Sequence, residues 1–199
     1  MTITIELLWA IAGLLLTIAA TFLPASFASP AWIWEQQEVK TFYLGVTYQV
    51  GAVLFIGCLG GKNAAVISQV AYIFLGLTLL PVFTYGGGVG YFREPSFGYI
   101  LGFLPAGWIC GNLAFKADPK LESLTFNCLC GLLSVHVTGL AYLIIGNILG
   151  WNNTESLSLF KAIFMYSIYP IPGQLGIICA VAVMALSLIH ISEPTRQSK

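Results

Sequence analysis

The chain has 199 residues, of which 58% are apolar, 14% aromatic and 8% charged, with a mean hydropathy of +0.87. A soluble domain keeps about 25% of its residues charged, so eight acidic and eight basic side chains are too few to coat a water-soluble particle of this size. Lipid is the expected solvent. A net charge of zero excludes a basic nucleic-acid footprint and an acidic disordered tract. The length suits one domain, and spans of about 20 residues allow roughly six helices with short loops.

Thr2 to Leu23 is the first apolar run, ended by Pro24. It extends too far for a signal-peptide core and has no basic residue before it, so it reads as a retained helix. Pro24 to Lys40, with Trp32, Trp34, Glu35 and Glu38, is amphipathic; tryptophans prefer the headgroup level, so an interfacial segment is expected. The second span runs from Tyr43 to Gly60 and the third from Ala64 to Leu80, joined by Gly61, Lys62 and Asn63. Gly98 to Phe115 is the fourth, and Leu121 to Leu149 holds the fifth. Leu157 to Ile168 predicts a short helix, Pro170 and Pro172 a break, and the sixth span starts near Pro172. Lys62, Lys116 and Lys120 fall at one end of this arrangement, and Lys40, Arg93 and Lys161 at the other. Positive charge orients a membrane protein only when it is asymmetric, and here it is balanced.

The run from Leu186 to Arg196 resembles the in-frame translation of a sequencing adapter. Residues 1–185 are therefore expected to form the natural domain, and 186–199 a non-native tail excluded from fold reasoning. Without the tail the chain holds six basic and seven acidic residues, a net of −1, and His190 takes no role. The tail opens with Leu-Ser-Leu-Ile-His-Ile, apolar enough to extend the last helix. Cys58, Cys110, Cys128, Cys130 and Cys179 lie in apolar stretches and give no disulfide framework. Cys128 and Cys130 point about 200° apart on a helix, so the cysteines read as small buried hydrophobes and no metal site is expected.

The most informative stretch joins the third and fourth spans. Gly86-Gly87-Gly88-Val89-Gly90 permits positive φ and close approach of backbone amides to a ligand. Tyr91, Arg93 and Pro95 follow, then Ser96-Phe97-Gly98-Tyr99-Ile100-Leu101-Gly102-Phe103. A plain connecting loop accounts for the glycines but not for the interleaved aromatics and arginine, so a binding loop is favoured. Gly57 to Asn63 departs from a phosphate-binding loop, with three residues between the glycines and no Ser or Thr after Lys62. The chain carries no ATP-hydrolysing signature. No nucleophile and base stand at workable spacing, so no catalytic residue is assigned.

The glycine run with Pro95 to Phe103 closely resembles the BioY family, the biotin-capture subunit (S component) of energy-coupling-factor (ECF) transporters. The likeness extends through Gln49 to Phe55, Gly57 to Gly61, and Pro172-Gly173-Gln174-Leu175. It implies an all-α integral membrane six-helix bundle of the S-component type, multi-pass in the cell (inner or plasma) membrane. It implies high-affinity biotin capture and uptake, with biotin as ligand, no cofactor, and as partners a transmembrane coupling subunit and two ATPase subunits besides membrane lipid. Two departures stand out. Many members carry an aspartate after Pro-Gly and a lysine three residues later, which contact biotin; here these are Gln174 and Ile177. Where members often show alanines four apart on the first helix for docking the coupling subunit, this chain has Gly13, Thr17 and Thr21, a stripe that equally suits packing within the monomer.

Biotin offers two ureido N–H donors, a strong carbonyl acceptor, an apolar bicycle and a carboxylate on a flexible arm. An apolar cavity with a few placed polar groups suits it. The expected ligand-binding set is Gln49, Gly86, Gly87, Gly88, Gly90, Tyr91, Arg93, Pro95, Gly98, Tyr99 and Gln174, with Tyr48, Gln69 and Lys161 as further candidates. Arg93 is preferred for the carboxylate, because a guanidinium can bind it bidentately. His136 inside the fifth span is a functional candidate as an intramembrane ionisable group, and equally reads as a neutral side chain bonded to a neighbouring helix. The rival readings are an S component for another vitamin, a membrane enzyme using His136 or the cysteines, and a structural assembly subunit.

Overall fold

The structure, a computed structural model, describes residues 2–29, 40–151 and 158–192. Helix α1 covers Ile3–Thr21, strands β1 and β2 cover Pro24–Ala28 and Thr41–Thr47, and α2 covers Gln49–Thr78. A 3-10 turn at Val89–Arg93 precedes α3 (Phe97–Leu101), α4 (Phe103–Ala114) and α5 (Leu121–Ile148). Helix α6 (Leu159–Ile163), a π turn at Phe164–Ile168 and α7 (Ile171–Ser192) follow. Trp32, Trp34, Glu35, Glu38 and residues 152–157 and 193–199 lie outside the described residues.

Among the described residues five stretches are long and apolar enough to cross a membrane: Ile3–Thr21, Gln49–Thr78, Phe97–Ala114, Leu121–Ile148 and Leu159–Ile191. The expected count was six. The difference lies in α2, where the expected second and third spans meet without a loop at Gly61 (φ 78°, ψ 177°). Gln49 and Tyr72 are 23 residues apart yet hydrogen-bonded at 2.9 Å, whereas an unbroken helix would separate them by about 35 Å. The two arms, 49–60 and 62–78, therefore run antiparallel. Gly61 makes the reversal possible, since its backbone lies in a region essentially restricted to glycine.

The second correction is at the chain entering α2. Residues 43–47, expected to begin a span, form β2, which pairs antiparallel with β1 in the register Ser26–Tyr43, Phe27–Phe42 and Ala28–Thr41. Thr41, Phe42, Tyr43, Val46 and Thr47 are β-branched or aromatic and fit a pleated surface. The all-helical expectation thus gains one two-stranded sheet. Phe27 and Phe42 stack across it at 5.2 Å.

Packing is consistent with lipid as solvent. Ile3, Ile148 and Phe160 are 75–80% exposed, in a chain whose spans bury their other faces. The stripe of Gly13, Thr17 and Thr21 is spent inside the monomer: a Cβ on Gly13 would meet Ser68 and Ile56 at 3.0–3.1 Å. Thr17 accepts from Gln69 Nε2 at 3.1 Å, and Thr21 meets the Tyr72 hydroxyl at 3.1 Å. Gln69, a candidate ligand partner, is thereby committed to α1. The break expected before the last span is present as the π turn and the following residues Tyr169 and Pro170, and α7 then continues through Ile191 as the apolar composition predicts.

Replacing Gly61 tests the reversal. Gly61→Val is expected to destabilise the chain by about 1–3 kcal/mol through backbone strain, read as a lowered thermal midpoint in detergent. Gly176→Ala, where a Cβ meets nothing within 4 Å, is expected to leave it unchanged.

Candidate ligand-binding site

Glycines let α3 and α5 approach until their backbones nearly touch. A Cβ on Gly98 would lie 2.3 Å from Tyr142, and one on Gly102 would lie 2.8 Å from the Val135 backbone. On α5, a Cβ at Gly139 would strike the Tyr99 ring at 2.4 Å. Small residues four apart are the usual means of such closeness in a membrane. Tyr99 is left leaning towards the π turn, where its hydroxyl meets Ser167 Oγ at 2.6 Å.

The loop before α3 is a packed cover. Phe83, Tyr91 and Phe97 are buried, with ring centroids 4.6–6.4 Å apart. Phe83 also meets the Tyr72 ring edge-on, and the Tyr142 hydroxyl donates to the Phe92 carbonyl. The glycine run serves this fold. Gly86 (φ 114°) and Gly88 (φ 89°) adopt left-handed backbone. Gly86 N donates to the Phe83 carbonyl at 3.0 Å and Gly88 N to the Gly76 carbonyl at 2.8 Å, so both amides are used within the chain. Burial raises the Tyr91 hydroxyl above the usual phenol range, with the Ser96 bond pulling the other way; the group is neutral and able to donate.

Beneath this cover lies a cavity of about 170 Å³. Val46 and Thr47 of β2, Gln49 of α2, Tyr99 of α3, Tyr166 of the π turn and Gln174 of α7 all contribute to its wall. Thr84, Tyr91 and Ser96 line it from the loop, and Ile100, Phe103 and Val135 supply apolar surface. Chain segments from three directions are needed to build it. Strand β2 is held over α7 because Gly173 admits the Leu44 carbonyl, which a Cβ there would meet at 2.6 Å.

Of the expected set, Gln49, Tyr91, Tyr99 and Gln174 come together on the wall. Gly86, Gly87, Gly88, Gly90, Arg93, Pro95 and Gly98 do not line it. The glycines shape the cover, Pro95 is buried in it, and Gly98 packs against Tyr142. Arg93 is exposed, two residues from Tyr91, and Tyr48 and Lys161 are exposed as well. Sequence reasoning missed Tyr166 and Thr84. Their signal was faint: Tyr166 stands just before the proline break, and Thr84 just before the glycine run.

Gln49 Nε2 donates to the Tyr72 hydroxyl at 2.9 Å, and that hydroxyl lies 3.0 Å from the Val82 carbonyl, to which it donates. Gln174 Oε1 lies 2.8 Å from His136 Nε2. His136 is thus a buried partner of a wall residue, with its ring edge-on to Tyr99 at 6.0 Å. Among the described residues no lysine or arginine lines the cavity. Ile177 packs against α2, where a Cβ on Gly51 would meet its Cγ2 at 2.5 Å.

Two further groupings lie elsewhere. Cys58, Cys110 and Cys128 bring their sulfurs within 3.6, 3.6 and 4.0 Å of each other. They are soft ligands by type, but among the described residues no histidine or carboxylate joins them. The Cys110 thiol donates to the Leu54 carbonyl at 3.6 Å. At the Gly61 end, Glu6, Lys62, Asn63, Asn112 and Lys116 line a polar groove of about 250 Å³.

The BioY family model matches residues 4–193. A protein of Cyanophora paradoxa named "Uncharacterized 21.2 kDa protein in psbX-ycf33 intergenic region" is 28% identical over 90% of this chain and 92% of its own length. A Lysinibacillus sphaericus protein named "Probable biotin transporter BioY" is 35% identical over 55% of this chain and 56% of its own length. The crystal structure of the S component for biotin from an ECF-type ABC transporter superposes with a TM-score of 0.66 at 22% identity, over 96% of this chain and 95% of that one. The fold is therefore that of an S component.

The Tyr99 ring is confined by Gly139, so Gly139→Ala is expected to force it towards the cavity and cost about 1–3 kcal/mol of stability. Thermal unfolding in detergent measures this, against Gly90→Ala, where a Cβ meets nothing within 4 Å.

Proposed function

The chain belongs to the BioY family, and from that premise we propose that it captures biotin as the substrate-binding subunit of an ECF transporter. It is a transport protein rather than an enzyme. The observation that carries the proposal is the family match over residues 4–193, which takes in every segment that lines the cavity. The cavity chemistry supports it: amides and hydroxyls set among Val46, Val50, Ile100, Phe103 and Val135 suit a ligand with an apolar bicycle and a ureido group.

Size argues for how the ligand lies. Cavities that enclose a whole drug-sized ligand measure about 300–1,000 Å³, and this one measures about 170 Å³. The bicycle occupies it, and the arm extends to the rim. A carboxylate left unpaired in low dielectric costs several kcal/mol, so it belongs outside, with Arg93 on the exposed side of the cover as its cation. The site residues are accordingly Gln49, Tyr91, Tyr99 and Gln174 on the wall and Arg93 at the rim, with Gly86, Gly87, Gly88, Gly90, Pro95 and Gly98 shaping the cover and its support.

Uptake requires energy that this chain has no motif to supply. A transmembrane coupling subunit and two ATPase subunits are the proposed partners, in the cell (inner or plasma) membrane. Because Gly13, Thr17 and Thr21 face α2, the coupling subunit docks on other surfaces. Residues 1–185 are the proposed biotin-binding domain, with 186–199 a non-native extension.

Calorimetric titration of biotin into the detergent-purified chain tests the reading, with one-to-one binding expected. Arg93→Ala is expected to weaken biotin about tenfold, the loss of one charge-assisted bond, and to spare biotinol, whose carboxylate is replaced by an alcohol. Equal losses for both ligands remove Arg93 from that role. Binding of thiamin or riboflavin in place of biotin, in a monodisperse helical sample, replaces the substrate.

A further inference from the structure

Each of the two glutamines on the cavity wall already has one end of its amide engaged. Gln49 Nε2 meets the Tyr72 hydroxyl at 2.9 Å, and Gln174 Oε1 lies 2.8 Å from His136 Nε2. We propose that Tyr72 and His136 are positioning residues that lock the two amides in opposite senses, so that Gln49 presents a carbonyl acceptor to the ligand and Gln174 an N–H donor. The inference rests on the biotin reading for its choice of probes.

An amide has two ends of nearly equal shape, so its orientation is set only by partners that have no choice. The Tyr72 phenol has one hydrogen. It goes to the Val82 carbonyl at 3.0 Å, which can only accept. The phenol oxygen then offers only lone pairs towards Gln49, which must answer with its N–H group. The Gln49 carbonyl is then the end left for the cavity.

The histidine reaches the same result by elimination. Its Nδ1 is buried without a hydrogen-bond partner. An orphaned buried N–H is rarer and costlier than an under-used acceptor, so Nδ1 carries the lone pair and Nε2 the hydrogen. In a neutral imidazole that assignment fixes the tautomer. Nε2–H donates to Gln174 Oε1, and the Gln174 amide N–H group is left for the ligand. A ureido ring needs this combination, since its N–H groups require an acceptor and its carbonyl a donor. A carboxylate could take the same donor, and the analogues below separate the two.

The lock on Gln174 can be read without any ligand. In chain labelled with 15N-histidine and carrying His190→Gln, the His136 nitrogen shifts are expected to show the Nε2–H tautomer. The Nδ1–H tautomer overturns the proposal whether or not biotin binds. The second measurement is calorimetric titration with biotin, 2-iminobiotin (ureido oxygen replaced by N–H) and biotinol. His136→Leu is expected to weaken biotin about tenfold, the loss of one well-formed hydrogen bond, and to narrow its advantage over one analogue by a similar factor. Narrowing against 2-iminobiotin puts the donor on the ureido oxygen; narrowing against biotinol puts it on the carboxylate. His136→Gln, whose amide N–H stands where Nε2–H did, is expected to restore both affinity and selectivity. Tyr72→Phe is expected to narrow the preference for biotin over its ureido N-methyl derivative. Equal losses for all ligands, with no recovery in His136→Gln, mark a structural effect and overturn the proposal. A chain that shows the Nε2–H tautomer but binds none of these ligands removes the biotin reading and leaves the lock on Gln174 standing.

Discussion

Within a bilayer no water is at hand for a buried polar group, so leaving one without a partner inside the chain is costly. The Tyr72 hydroxyl shows what this demands. It is fully buried and meets Thr21 of α1, Gln49 at the head of α2, and the Val82 carbonyl in the loop that begins the cover. The contact with Gln49 exists only because α2 doubles back at Gly61. Without the reversal Gln49 would have no partner here. One phenol therefore couples the path of the helices to the chemistry of the cavity wall.

Glycine acts at the other wall by letting elements come close. Gly98, Gly102 and Gly139 bring α3 against α5, and the contact tips Tyr99 towards Ser167. Gly173 performs the same task between α7 and β2. The cavity is what remains between elements held at these distances. In a close-packed interior a shift of one methyl group is felt, so the cavity wall and the glycine contacts behind it act as one object.

Much of this architecture was legible in the chain order of apolar runs. The membrane class, the ends of α1 and α5, the limits of the stretch formed by α3 and α4, and the break before α7 followed from hydrophobic length and proline placement. Residues 43–47 misled because a short apolar run of aromatics and β-branched residues reads alike as buried helix or strand, and its partner β1 lies across a segment of polar and tryptophan-rich composition. The glycine run stands out in the sequence, and the structure gives it a part in shaping the cover. Its amides at Gly86 and Gly88 bond the chain itself, and the aromatics around it form the cover. Gln49 and Gln174 were identified by type. Their partners were not, since His136 and Gln174 are 38 residues apart and no local pattern encodes a tertiary pairing of that kind.

A cavity wall with no lysine or arginine among the described residues has a physical consequence for the site as a whole. A buried lysine must be paired to repay its desolvation, and an empty cavity leaves it unpaired between ligands. Amide dipoles carry no such penalty. Each glutamine keeps a partner when the ligand is absent, so the cavity keeps its polarity without a charge to shelter. In the proposed reading charge recognition moves to the rim, where solvent lowers both its cost and its strength. Selectivity in such a site comes from the match of donors and acceptors inside, because a ligand that cannot complete them leaves buried polar groups unmet. The burden of specificity thus falls on the two residues behind the amides, Tyr72 and His136, which set the sense of each amide without themselves lining the cavity.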